Sequence, residues 1–227
     1  MDTRLVALDT ETTGLAVEEG HRIVEVGCVE FKETGEIIDR FSQYVNPERE
    51  IDEGAINVHG ITNADLRGWP KFRDIADELL NFIRDADVVI HNADFDVSFL
   101  DRELVRMKHH ERINDVCHVI DSLELARERF NSNNSLDGLC KRFKIDYSHR
   151  TQHGALIDAE LLARVYIKLV SREVELFADL EKEKKKKPIF GLSSAIRDPQ
   201  SGTIIKATDN EKRAHQEYMN MIGNPSV

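Results

Sequence analysis

The sequence predicts an α/β domain built on a mixed, five-stranded sheet flanked by helices, with a C-terminal tail outside it. Three patterns carry that expectation. The stretch LVALDTETTGL (5–15) opens on an apolar run at Leu5 that ends abruptly in acid; two more strand-like runs, HRIVEVGCVEFK (21–32) and EIIDRFSQYV (36–45), follow it; beyond them, short apolar runs alternate with stretches of helical period. Strands in close succession make an antiparallel meander, and strand–helix alternation adds strands with helices on the sheet faces.

Taken in order, the two later strands of the meander are joined by ETG, where Gly35 can supply a positive φ. Pro47 ends the meander, and residues 51–59 predict one short helix. From Phe72 the apolar positions Phe72, Ile75, Ala76, Leu79, Leu80 and Ile83 recur at three and four, as in an amphipathic helix lying on a sheet. DVVIHN (87–92) is too compact for a helix and suits a buried central strand. DFDVSFLDRELVRM (94–107) returns to helical spacing, and VCHVI (116–120) reads as a second buried strand. Asp121 is placed to cap the helix in DSLELARERF, and Ser135 to cap a short one ending at Phe143. Residues 144–153 are polar and irregular, and GALIDAELLARVYIKLV (154–170) is the last strongly periodic helix. EKEKKKKP marks a charged linker at 181–188, dividing a domain at 1–180 from a tail at 189–227. The tail holds too few apolar residues to order alone and too many for an inert tether, which suits a segment that docks on a partner.

The formal net charge of −11 argues against a protein that coats DNA electrostatically. Residues 1–170 hold 21 Lys and Arg against 33 Asp and Glu, whereas 171–227 hold 10 against 9. A phosphate substrate must therefore be drawn by local basic groups and bound cations. Cys28, Cys117 and Cys140 lack metal-site spacing and are odd in number, so they read as reduced core residues. No apolar run approaches membrane-spanning length and the N-terminus lacks the pattern of a leader, so a cytoplasmic protein with no membrane partner is expected.

Asp9 and Glu11, two apart on a strand, share one face at its end, beside Thr10, Thr12, Thr13 and Gly14. Two carboxylates so close repel unless a cation lies between them. Asp96 and Asp158 sit on core-facing helical stripes, the first with Phe99 and Leu100 at i+3 and i+4, the second with Leu161, Leu162 and Val165. A buried, unpaired carboxylate costs roughly 2 kcal/mol or more. Singly, each acid could be solvated, cap a helix or meet an arginine; four together point to a divalent-metal site. Two such ions, Mg²⁺ or Mn²⁺, roughly 4 Å apart suit phosphodiester hydrolysis. His153, ahead of the last helix, is a surface polar residue or, beside such a site, the proton acceptor for an attacking water.

DTET, HNADFDVSFL and HGALIDAELLA together resemble the three motifs of the DEDD exonucleases, in the subgroup whose third motif carries a histidine. The resemblance covers about residues 4–170. It implies a ribonuclease-H-like fold, 3′→5′ removal of nucleotides from a single-stranded DNA end, metal ligation by Asp9, Glu11, Asp96 and Asp158, and His153 as the base. In VHGIT (58–62), it implies that His59 contacts the terminal nucleotide, with Asp9, Glu11, Thr13 and Asp158 completing the substrate contacts. The family's substrate-contacting glutamate falls, ungapped, on Gly54, with Glu53 adjacent. NSLDGLCKRF and IIKATDNEKRAHQEYM resemble proofreading members that act within bacterial replicases, where the tail tethers the exonuclease to the polymerase catalytic subunit. EVELF, Glu173 to Phe177, resembles a sliding-clamp-binding peptide; alternatively, Leu176 and Phe177 finish the packing of the last helix. Three functions follow: a proofreading exonuclease, a free-standing DNA- or RNA-trimming exonuclease, and a non-catalytic scaffold between polymerase and clamp.

Overall fold

The three strand-like runs form β1 (Leu5–Thr12), β2 (Ile23–Phe31) and β3 (Ile37–Tyr44), the antiparallel meander expected from the sequence. The computed structural model describes residues 4–148, 150 and 152–171. The expected linker, the tail and the Glu173–Phe177 motif lie outside the described residues.

After the meander come α1 (Glu53–His59), α2 (Phe72–Ile83), β4 (Asp87–Ile90), α3 (Ala93–Arg106) and a single turn, α4 (Ile113–Val116). They are followed by β5 (His118–Asp121), α5 (Ser122–Arg129), α6 (Leu136–Phe143) and α7 (Ala155–Val170). The strand order is β3-β2-β1-β4-β5, with β4 parallel to β1 and β5 parallel to β4. Two predicted caps form: the Asp121 carboxylate accepts from the Leu123 and Glu124 amides, and the Ser135 hydroxyl accepts from Gly138. One expectation is corrected. VCHVI is not a buried strand: Val116 closes α4, and in β5 His118 is exposed while Val119 and Ile120 are half-buried. The reason is position, because β5 is an edge strand with a neighbour on one side alone.

The sheet's two faces are covered differently. Val6, Leu8, Cys28, Val88 and Ile90 pack under α2 and α3 against Leu79, Phe99 and Leu100. On the opposite face, Ala7, Val29, Phe31 and Val89 meet Ala159, Leu162 and Ala163 of α7. Small residues on both sides allow α7 to lie close. The approach is tightest at Gly27, where a β-carbon would stand 2.3 Å from the backbone of Ala155 and Leu156. Gly27 is the β2 partner of Asp9, so the first turn of α7 is brought down beside the acidic end of β1. All three cysteines are buried and free. Among the described residues no helix is long and apolar enough to cross a membrane.

Candidate metal centre

The site is assembled at the end of β1, where the strand carries Asp9 and Glu11 toward α7 and turns Thr10 the other way, toward α3. Asp96, 3% exposed on α3, accepts from the Thr10 amide at 3.0 Å and from its hydroxyl at 2.7 Å, so Thr10 pins the third acid beside the first. The start of α3 is held in turn by Asp121, whose carboxylate receives the Asn92 and Ala93 amides at 3.2 and 2.9 Å while also capping α5. Asp158, 2% exposed, lies in the first turn of α7. That turn is anchored by a carboxylate from another element: buried Glu25, the cross-strand partner of Glu11, accepts from the Ala155 amide at 3.1 Å. Glu25 was not singled out by sequence, where it reads as one polar residue in an alternating strand.

His153 is half exposed, and its amide donates to the Val58 carbonyl at 3.3 Å, tying its loop to α1. Glu11, His153 and Asp158 each present a ligand atom within 4.8 Å of the other two. His59 is buried; its Nδ1 accepts from the Ile61 amide at 3.0 Å, so Nε2 carries the proton and donates to the Thr12 carbonyl at 3.2 Å. Burial lowers its pKa, which keeps this ring neutral. Thr13 is fully buried beneath the site, its hydroxyl shared between His21 Nδ1 at 2.9 Å and the Arg22 amide at 3.0 Å.

The acids strain against one another. Withdrawal from water, then Asp96, Asp158 and Glu11, holds the Asp9 carboxyl well above the usual carboxylate range. Burial, then Asp158 and Glu25, pushes Glu11 up to about 8. Burial raises Asp96 to about 7, against the lowering effect of the two Thr10 hydrogen bonds. Such a set of oxygen donors with one imidazole, crowded until several acids prefer a proton, fits hard divalent cations.

One residue in the site was invisible to the sequence reading. Arg150, in the irregular stretch before α7, has a side chain only 6% exposed. Its Nε and Nη2 hold both oxygens of Asp158, its Nη1 donates to Asp137 Oδ1 at 2.5 Å, and Nη2 lies 2.7 Å from His153 Nδ1. The arginine partner weighed for a lone buried acid thus exists at Asp158, in the midst of the other three. A loop arginine in a polar segment offers no periodicity from which this could be read.

Known proteins resemble this chain in sequence and in fold. A protein-family model described as an exonuclease matches residues 6–166. The DNA polymerase III subunit epsilon of Rickettsia felis is 40% identical over 221 residues, spanning 96% of each chain. That of Escherichia coli K12 is 39% identical over 227 residues, covering 97% of this chain and 93% of its own. Among solved structures, exonuclease X bound to 5′-overhanging duplex DNA superposes with a TM-score of 0.57 at 26% identity, over 78% of this chain and 98% of its own. The nuclease domain of 3′hExo, a DEDDh family member bound to rAMP, shares the fold at a TM-score of 0.60 and 19% identity, over 74% of this chain and 91% of its own.

Proposed function

The chain belongs to the exonuclease family, among the epsilon subunits of DNA polymerase III, and from this we infer that it proofreads, removing mismatched nucleotides from DNA 3′ ends as a metal-dependent 3′→5′ exonuclease. The observation that carries the reading is the convergence of Asp9, Glu11, Asp96 and Asp158, from one strand and two helices, on one strand end beside His153.

We assign metal ligation to those four acids, which would hold two divalent cations, Mg²⁺ or Mn²⁺. Bound there, such cations would supply Lewis-acid stabilisation of the attacked phosphate and would offset the acidic surface toward the DNA backbone. His153 accepts the proton of the attacking water at a ring nitrogen, and its half-exposed position leaves that nitrogen reachable from solvent. The neutral His59, fixed on the Thr12 carbonyl, lies beside the same strand end and is assigned to the terminal nucleotide. Apolar surface suited to unpaired bases is at hand: Leu15 is 86% exposed, and Val58, whose carbonyl receives the His153 amide, is 48% exposed. The Tyr44–Trp69 ring pair, with centroids 5.3 Å apart, borders a 420 Å³ pocket that His59 and Gln152 also line. Bases stack on such groups whatever their sequence, which suits an enzyme that must accept any terminal mismatch. The tail from 189 is assigned to the polymerase catalytic subunit and Glu173–Phe177 to the sliding clamp, on the sequence features given above.

The test uses the full chain and labelled DNA and RNA oligonucleotides with a mismatched 3′ end. Stepwise shortening of the DNA from its 3′ terminus with Mg²⁺, abolished by EDTA, is expected. Preferential attack on RNA would instead favour the free-standing trimming enzyme.

A further inference from the structure

Arg150 competes for two of the groups that the reaction needs. Asp158 gives both carboxylate oxygens to its guanidinium, although the proposed function, on which this inference rests, requires that carboxylate as a metal ligand. Nη2 also donates to His153 Nδ1 at 2.7 Å. A nitrogen that accepts a hydrogen bond carries no proton, so the neutral ring then holds its hydrogen on Nε2, and neither nitrogen is free to take a proton from water. The alternative tautomer, with Nδ1–H donating to Asp158 Oδ2, is already within reach at 3.3 Å and would leave Nε2 basic. The guanidinium also has a second carboxylate to rest on, since Nη1 donates to Asp137 Oδ1 at 2.5 Å from the first turn of α6, where the acid is 46% exposed.

We propose that Arg150 is a positioning residue that acts as a resident cation. Its guanidinium and a divalent metal are alternative partners of Asp158, and metal binding moves the arginine onto Asp137, which also releases His153 Nδ1 to turn toward Asp158. The arginine holds the crowded acids together until metal arrives, and it couples metal loading to the base-competent tautomer of His153. A charged, forked donor is what the first duty needs, and a partly exposed second acceptor is what the second needs.

Mn²⁺ titration of the full chain, followed by the electron paramagnetic resonance of free Mn²⁺, tests this against Arg150→Ala and Arg150→Lys. Arg150→Ala is expected to bind Mn²⁺ about tenfold more tightly, the size of one charge-assisted hydrogen bond that no longer has to be broken. Arg150→Lys, which keeps a cation without the fork and guards against a merely misfolded variant, should fall between. In the unaltered protein, ¹⁵N spectra of His153 should show Nε2–H without metal and a change to Nδ1–H on saturation with Mg²⁺. Equal or weaker Mn²⁺ binding by a folded Arg150→Ala, or a His153 tautomer indifferent to Mg²⁺, overturns the proposal while leaving the metal centre standing. Failure of all three proteins to bind Mn²⁺ overturns the metal centre itself, and the proposal with it.

Discussion

Two buried arginine–carboxylate pairs in this molecule look alike and differ in what surrounds them. Arg22 grips Glu103 through Nε at 2.5 Å and Nη2 at 2.6 Å, joining the start of β2 to α3, and Glu103 is 4% exposed. Arg150 grips Asp158 in the same two-pronged way. Around Glu103 the charge is closed: Arg22 also lies 3.8 Å from Glu48, and Lys71 and Arg73 pair with that second acid in turn. Around Asp158 one guanidinium is shared with Asp137 and acts on Asp9 and Glu11 as well, and Asp9, Glu11 and Asp96 all have their pKa values raised. A balanced pair is complete and serves the fold; an unbalanced one leaves negative charge for protons or metal cations to neutralise.

The sharpest way to break this comparison is to neutralise one acid of each kind. Asp9→Asn is expected to cut exonuclease turnover by about 10⁴-fold, while its melting temperature in EDTA holds or rises because carboxylate repulsion is relieved. Near-normal turnover by that variant would mean that Asp9 is no ligand. His153→Ala should slow cleavage by about 10² to 10⁴ with Mn²⁺ affinity little changed, as steady-state rates and the Mn²⁺ titration would report. Glu103→Ala should do the reverse, losing about 3–5 kcal/mol of stability in urea titrations, with the folded fraction cutting at the normal rate.

Gly27→Ala probes the contact that brings α7 to Asp9. The added methyl would press on the Ala155 and Leu156 backbone, so α7 must shift. About 1–3 kcal/mol of stability and about 10²-fold in rate should be lost together, and a variant losing stability alone would show that the helix has slack. The smallest effect expected is that of pH on the metal-free protein. Asp9, Glu11 and Asp96 have folded pKa values above their unfolded ones, so the fold binds more protons than the unfolded chain. Their contribution to stability is complete below about pH 4 and is lost as pH rises through about 7 for Asp96 and about 8 for Glu11. Melting temperatures in EDTA should therefore fall from about pH 4 to about pH 8, and saturating Mg²⁺ should flatten that slope.

The sequence by itself determined the meander, the strand–helix alternation, the caps at Asp121 and Ser135, and the four acids. Each of these is written within one element. Asp96 and Asp158 could be found because a carboxylate among leucines at helical spacing contradicts its surroundings, and that contradiction needs no knowledge of the rest of the chain. VCHVI failed for the opposite reason: an apolar run looks the same in a central strand and at an edge, and only the strand order distinguishes them. Gly27 reads as a weak strand residue until α7 is seen resting on it, and Glu25 as a surface polar residue until it is seen receiving the Ala155 amide. Arg150 belongs to no pattern at all. Its role comes from acids distant in sequence that the sheet and α7 bring around it, and the field of a buried site depends on distances in space.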